Sequence, residues 1–141
     1  ECEIPKSNAT TDEVREILTH QKTVAVVGLS DKPERDSHRV AAYLQEHGYR
    51  VIPVNPRAKE ILGEAVYGSL QDVPDPIEIV CIFRKPEAVP PIVDAAIEVK
   101  AKTVWMQLGI AHNEAADKAR AAGLQVVMSK CIKIEHAKMF G

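Results

Sequence analysis

The sequence predicts a domain of the α/β class, in which a doubly wound parallel sheet of five or six strands is covered by helices on both faces. Its strand-like segments are short apolar, largely β-branched runs with little polar alternation, as in strands that are buried on both sides. Segments with helical spacing separate these runs, as right-handed crossovers between parallel strands require. With 141 residues, of which 45% are hydrophobic, we expect a single domain over residues 1–141 with one core.

The first half of the chain is predicted to begin with a helical extension over residues 1–20 and then to alternate strands and helices. Residues Thr10, Thr11 and Asp12 are alternative caps for the first helix, and glycines mark helix ends. The predicted elements are a helix over Glu13–His20, a strand over Thr23–Gly28, a helix over Ser37–His47, a strand over Arg50–Val54, a short helix over Ala58–Leu62 and an edge strand over Ala65–Tyr67.

The second half repeats the alternation. One helix has an apolar face at Val89, Ile92, Val93, Ala96 and Ile97. The two prolines between Val89 and Ile92 therefore lie in the first turn of this helix. The other predicted elements are strands over Ile77–Phe83, Thr103–Gln107 and Leu124–Met128, and helices over Asn113–Ala122 and Lys133–Phe140. The expected strand order is 3-2-1-4-5-6, with ligands bound at the carboxyl ends of the strands, after Gly28 and Phe83.

The loop after the first strand has features of a phosphate site. Gly28 ends the strand and Ser37 is predicted to cap the next helix, whose free N–H groups attract anions. We therefore expect the backbone from Gly28 through Leu29 to Ser30, together with Ser37, to contact phosphate. The alternative is that the glycine only turns the chain and the serine only caps. The second and third glycines of a dinucleotide fingerprint are missing, which disfavours a standard NAD site.

The second strand ends in Asn55-Pro56-Arg57. NAD-binding domains place an acidic residue there for the ribose hydroxyls, whereas an arginine suits a phosphorylated ribose. This pattern favours coenzyme A, with its 3′-phosphate, or NADP, with its 2′-phosphate. The alternative is a simple turn with a solvated charge.

The fourth strand ends in Phe83-Arg84-Lys85, across the switch point from the first loop. Gln107 and Gly109, at the end of the fifth strand, are candidates for the edge of the ligand site. Positive charge is expected to collect at these strand ends, although charged loops are common in proteins. The cations concerned are Arg35, Arg57, Lys59, Arg84, Lys85 and Lys130.

Neither a catalytic nor a metal-binding constellation is predicted. The five histidines lack metal-ligand spacing, and Ser30 is not in a nucleophile elbow. Cys81 is expected in the core; Cys131 is the thiol nearest to the predicted cleft, with packing as its favoured role. The three cysteines, Cys2 included, form no CxxC pair, which favours reduced thiols in the cytoplasm.

Composition also disfavours two classes of partner. Near-balanced charge, formally -2, and 4% aromatic residues argue against a nucleic-acid-binding domain. No apolar run approaches the roughly 20 residues of a membrane span.

Four segments carry a resemblance to a known family. They are VAVVGLSDKPERDSHRVAAYLQEHGYRVIPVNP from Val24, YGSLQDVP from Tyr67, IFRKPEAVPPIVDAAI from Ile82 and VWMQLGI from Val104. Over about residues 20–136 the chain resembles the single-domain CoA-binding proteins and is similar to the CoA-binding domain of the succinyl-CoA synthetase alpha subunit. The resemblance implies a Rossmann-like fold. By position it assigns residues to three parts of a CoA site. They are a phosphate loop of Gly28, Ser30, Arg35 and Ser37, an adenosine side of Asn55, Pro56 and Arg57, and an opposing wall of Phe83, Arg84 and Lys85.

The chain also departs from these relatives. Ser129-Lys130 stands where many of them carry an acidic residue and an arginine, which puts a role for Cys131 in doubt. A second domain of the synthetase kind is not expected, so ligase activity is not inferred.

Three hypotheses follow. The leading one is a cytoplasmic, nucleotide-binding module that holds coenzyme A or an acyl-CoA without catalysis. The alternative is an NADP-dependent reductase or another NADP-binding protein. A third is a regulatory subunit whose ligand controls docking to a larger acyl-CoA enzyme. A homo-oligomer is compatible with each of them.

Overall fold

Five parallel strands form the central sheet of the computed structural model, which describes residues 3–141. Cys2 lies outside the described residues. In chain order the elements are α1 (Thr11–His20), β1 (Thr23–Val27), α2 (Asp36–Glu46), β2 (Arg50–Val54), β3 (Glu60–Ile61), β4 (Glu64–Ala65), β5 (Ile79–Ile82), α3 (Val89–Glu98), β6 (Thr103–Met106), α4 (Asn113–Ala121), β7 (Gln125–Val127) and α5 (Ile132–Phe140).

The strand order of the sheet is β2-β1-β5-β6-β7, which confirms the doubly wound Rossmann-like architecture. Val24 of β1 pairs with Val51 on one side and with Ile79 on the other. The chain moves outward from β1 to β2 and then returns to β5, so the switch point lies between β1 and β5. The carboxyl ends of these two strands are therefore the expected place for a ligand.

The predicted third strand is reduced to one bridge. Tyr67 pairs in parallel with Val54 at the outer edge of β2, where the order 3-2-1-4-5-6 places a third strand. The preceding Glu64 and Ala65 instead pair antiparallel with Ile61 and Glu60. The prediction of an edge strand over Ala65–Tyr67 is thus correct in position at Tyr67 but wrong in extent.

The prediction of a helix over Ala58–Leu62 is wrong. This segment enters a β-hairpin, and both residues of its two-residue turn have positive φ, 55° at Leu62 and 76° at Gly63. That combination is typical of a type I′ turn, which matches the twist of a two-stranded ribbon. Ile61 is buried while Glu60 is exposed, so the strand alternation is present but spans only two residues.

Helices cover both faces of the sheet. On one face α1, α2 and α5 pack with Val14, Leu44 and Ile132, and the fully buried Trp105 of β6 belongs to the same cluster. On the other face α3 and α4 pack through residues such as Val93.

The cap of α1 is Thr10. The Glu13 N–H donates to Thr10 Oγ1 at 3.1 Å, while the Thr10 N–H donates to Glu13 Oε1 at 2.7 Å. This reciprocal capping box decides between the three caps that the sequence leaves open.

Among residues 3–141, no helix combines the length and the hydropathy that crossing a membrane would require.

Candidate functional site

Gly28, the first residue after β1, holds three strand ends together. Its φ is +88°, and a Cβ atom at this position would lie 2.5 Å from the carbonyl oxygen of Phe83 and 2.9 Å from Cδ of Arg84. Its N–H donates to the carbonyl of Val54 at 3.0 Å. This bond occupies the N–H that the sequence offered to a phosphate, and a contact of Gly28 with a ligand stays a prediction. Gly28 provides close approach between the ends of β1, β2 and β5.

The two serines of the first loop bind the loop itself. Helix α2 begins at Asp36 behind Arg35, which makes no side-chain capping bond, so the prediction that Ser37 caps the helix is wrong. Ser37 is buried, and its Oγ accepts the Ser30 N–H at 3.0 Å. The Ser30 Oγ accepts the Lys32 N–H at 3.1 Å. These bonds fix the shape of the loop but occupy the Ser30 N–H.

Two backbone donors remain open at the start of α2. The N–H groups of Asp36 and Ser37 have no acceptor in the described part of the chain, as expected for the first turn of a helix. Because the N–H groups of a helix point towards its N-terminus, these two point towards the end of the first loop. The helix dipole adds partial positive charge there, so this helix end favours an anion.

An open cleft of about 540 Å³ lies beside this helix end. It is lined by Gly28, Ser30, Lys32, Glu34, Arg35, Asp36, Ser37 and Phe83. Its side-chain charge is mixed, because two acidic residues accompany the two basic ones. Asp36 is neutralised by Arg39, whose Nη1 lies 3.2 Å from Oδ1. An anion in this cleft would depend on backbone donors as much as on cations.

Asn55 links the end of β2 to the first loop. Its Nδ2 donates to the Leu29 carbonyl at 2.9 Å, and its Oδ1 accepts the Arg57 N–H at 2.8 Å. Leu29 itself is fully buried, so its contribution to the site is made by its backbone. Asn55 is thus a positioning residue that keeps two predicted ligand loops in register.

A second cavity, of about 280 Å³, lies between the ends of β1 and β2 and the start of α3. Most of its lining is apolar, and Arg84 and Pro56 are the predicted site residues on its wall. The lining residues are Val27, Val54, Pro56, Gly68, Ser69, Leu70, Gln71, Arg84, Pro91, Ile92 and Ala95.

Three residues of this wall are not among those predicted for the site: Ser69, Leu70 and Ile92. A signal existed for the first two, because they belong to the YGSLQDVP segment that carries the family resemblance.

The six cations at the strand ends make no ion pair with any residue of 3–141. Arg35 lines the cleft and Arg84 lines the second cavity, while the other four line neither of the two. Some cations elsewhere are paired, as Arg50 is with Asp75 at 2.6 Å. The strand ends therefore combine unneutralised positive charge with two adjacent concavities.

Gln107 and Cys131 lie together in a third cavity, of about 380 Å³, at the ends of β6 and β7. Gly109 does not line it; its N–H donates to Ser129 Oγ at 3.1 Å in a neighbouring turn.

Cys81 is fully buried, and this burial raises the pKa of its thiol. Lys85, which lines none of the three cavities, is exposed. Within residues 3–141 no group of three His, Cys, Asp or Glu side chains could hold a metal ion.

Known proteins match this chain over most of its length. A family model described as "CoA binding domain" matches residues 22–137. The "Uncharacterized protein YneT" of Bacillus subtilis is 42% identical over 130 residues, which is 92% of this chain and 96% of that protein. The solved structure of a "hypothetical protein from Pyrococcus horikoshii OT3" superposes with a TM-score of 0.93 at 45% identity and covers 100% of this chain and 99% of that one.

A larger enzyme subunit contains a similar region. The "Acetate--CoA ligase [ADP-forming] I subunit alpha" of Pyrococcus furiosus is 30% identical over 95 residues, which is 63% of this chain but 21% of the ligase subunit.

Proposed function

Because the chain belongs to the CoA binding domain family, we propose that it binds coenzyme A or an acyl-CoA at the carboxyl ends of β1, β2 and β5. The match of residues 22–137 to that family is the observation that carries the proposal. The unpaired cations and the two adjoining concavities at the switch point support it, because a CoA nucleotide combines phosphates with an aromatic base whose faces pack on apolar surface.

The diphosphate is assigned to the cleft at the start of α2. The open N–H groups of Asp36 and Ser37 donate to phosphate oxygens there, with Arg35 beside them. The serine bonds within the loop hold these donors in place before the ligand arrives. Preorganisation of this kind lowers the entropy lost on binding.

The adenosine is assigned to the second cavity. Pro56, Leu70 and Ile92 supply an apolar surface for the base, and Arg84 lies on the wall that leads from this cavity towards Gly28. Arg84 therefore takes the 3′-phosphate in this proposal. Arg57 lies outside both concavities and is the second candidate for the same phosphate.

The proposed role is binding without catalysis, and the cytoplasm is the proposed compartment. The ligase subunit that shares this region is a far longer protein, and its activity is not carried over to this chain. Whether the bound ligand controls docking to an acyl-CoA enzyme or to a second copy of this chain is a separate proposal. Copurification with and without coenzyme A tests it.

The experiment is a thermal-unfolding series on ligand-stripped protein with coenzyme A, dephospho-CoA, NADP and NAD. A ligand at about a hundredfold its Kd adds roughly 2.7 kcal/mol of stability, which raises Tm by several degrees in a domain of this size. We expect a larger shift with coenzyme A than with dephospho-CoA and little shift with NADP. A shift with NADP alone would replace the proposal by an NADP-binding protein.

A further inference from the structure

The third cavity adjoins the proposed phosphate cleft. Asp36 and Phe83 line both concavities, so a ligand with its phosphates at the start of α2 can extend past Phe83 into the third cavity. The cavity lies between α2, the end of β6 and the start of α5. Its volume of about 380 Å³ is at the small end of the range for ligand pockets.

The walls of this cavity are mostly apolar, with an exposed apolar rim. Val40 is buried and Phe83 is partly buried, while Leu108 and Ile134 are 65% and 47% exposed. Large apolar side chains with such exposure at the mouth of a cavity are stabilised when a ligand covers them.

The two cations at the mouth are already engaged. Arg39 pairs with Asp36, and Lys133 places its Nζ over the ring of Tyr43, 5.6 Å from the centroid. The cavity therefore offers no unengaged cation to a carboxylate at the far end of a ligand. An uncharged, apolar end group fits it better.

The amide of Gln107 uses only its oxygen in hydrogen bonds with the described residues. Gln107 is 3% exposed, and its Oε1 accepts the backbone N–H of Ile132 at 3.1 Å and the thiol of Cys81 at 3.4 Å. Because a backbone N–H can only donate, the atom that faces it must be the amide oxygen. The Nε2 group has no acceptor among the described residues. It is not sealed inside the protein, because every fully buried side-chain nitrogen and oxygen of these residues has a hydrogen-bond partner, and Gln107 lines the cavity.

We propose that this cavity holds the acyl thioester end of a CoA thioester with a short, uncharged, apolar acyl group. Gln107 Nε2 donates to the thioester carbonyl oxygen, and the acyl chain covers Leu108 and Ile134. The inference rests on the proposed binding of coenzyme A and adds the class of acyl group. It gives the Gln107 amide N–H an acceptor that the described part of the chain does not supply.

Calorimetric titration with three ligands tests the inference on the unaltered protein. They are coenzyme A, butyryl-CoA and S-butyl-CoA, a thioether that keeps the chain but lacks the carbonyl. We expect butyryl-CoA to bind about tenfold or more tightly than coenzyme A, because its chain removes apolar surface from water. The thioether should bind about fivefold more weakly than butyryl-CoA, because it cannot accept the amide hydrogen bond.

Two variants locate the effect. Gln107→Glu keeps an acceptor for the Ile132 N–H but replaces the donor, and should remove the advantage of butyryl-CoA over the thioether. Leu108→Ser, at an exposed position, should weaken butyryl-CoA several-fold and leave coenzyme A unchanged. Ile4→Ser is the matched control, because Ile4 is 84% exposed and lines none of the three cavities.

The outcomes separate this inference from the proposed function. Equal affinity for coenzyme A, butyryl-CoA and S-butyl-CoA would overturn the inference and leave coenzyme A binding intact. Failure of all three ligands to bind would overturn the proposed function, and the inference with it.

Discussion

Gly28 and Phe83 approach each other more closely than any side chain on Gly28 would permit. A Cβ atom at Gly28 would lie 2.5 Å from the Phe83 carbonyl oxygen, well inside van der Waals contact. The contact joins the loop after β1 to the end of β5, the two strands that meet at the switch point. The glycine is therefore required by protein packing, whether or not a phosphate also approaches it.

Replacing Gly28 with alanine should destabilise the fold strongly. The positive φ costs about 1–2 kcal/mol for a residue with a Cβ, and the backbone clash adds about 1–3 kcal/mol. The control is Gly123→Ala, which has a similar φ of +91° but open space around the added atom. Urea denaturation should show a larger loss at Gly28. Equal losses for the two variants would mean that the close approach to Phe83 relaxes freely.

Arg84→Ala should distinguish coenzyme A from dephospho-CoA. A charge-assisted hydrogen bond contributes about 1.5–3 kcal/mol, so its loss should weaken coenzyme A by about tenfold or more. Dephospho-CoA, which lacks the 3′-phosphate, should lose much less. Lys85→Ala is the control, since Lys85 is adjacent, exposed and outside the three cavities. If Arg84→Ala weakens both ligands equally, Arg84 does not contact the 3′-phosphate, and Arg57→Ala becomes the next variant to titrate.

The regular part of the fold was predictable because its signals are local. Apolar runs such as Arg50–Val54, which matches β2 residue for residue, and helical apolar spacing do not depend on distant residues. The hairpin at Leu62 and Gly63 was missed because two-residue strands are too short to show a period. The helix start was misplaced by one residue, because the Ser37 hydroxyl bonds across the loop rather than to its own helix.

The strand ends that form the candidate site were predictable, but their hydrogen-bond partners were not. The rule that ligands bind at strand ends identifies Asn55, Arg84 and Gln107. It cannot show that the Gly28 N–H is consumed by Val54. Likewise, helical spacing places Ile92 on the apolar face of a helix, but it does not show that Ile92 also lines the second cavity. Hydrogen-bond partners and cavity walls depend on contacts between distant segments, which a single sequence does not display.

Lys100→Gly should stabilise the protein. Lys100 follows α3 with φ of 60°, and the next N–H, of Ala101, bonds back to Ala96 at 3.0 Å, as at helix ends that favour glycine. The exposed lysine side chain makes no ion pair in the described chain, so relief of strain should add up to about 1 kcal/mol. Gly48→Ala, at φ +89° after α2, should show a loss of similar size. Denaturation midpoints of both variants test the pair, and a less stable Lys100→Gly protein would contradict the argument.

An aromatic cluster around His136 joins α5 to α2. The Tyr43 hydroxyl lies 2.8 Å from His136 Nδ1, and the rings of His47 and Tyr49 pack edge-on at 5.2 and 5.5 Å. Burial, together with the charges of His47 and Lys22, lowers the pKa of His136 below its ordinary value. The folded protein therefore favours neutral His136.

This lowered pKa predicts a loss of stability in mild acid. As pH falls through about 6.5, the histidine pKa of an unfolded chain, the unfolded state takes up a proton before folded His136 does, so the free energy of unfolding decreases. Above about pH 6.5 neutral His136 makes its full contribution to the free energy of unfolding. Below its folded-state pKa this contribution is lost and the free energy of unfolding falls no further on account of this group. Urea denaturation at about pH 7.5 and about pH 5.5 should show a smaller difference for His136→Gln than for the unaltered protein. His20→Gln, whose histidine side chain is 68% exposed, should keep the full difference. If His136→Gln also keeps it, the acid sensitivity arises from carboxylates elsewhere in the fold.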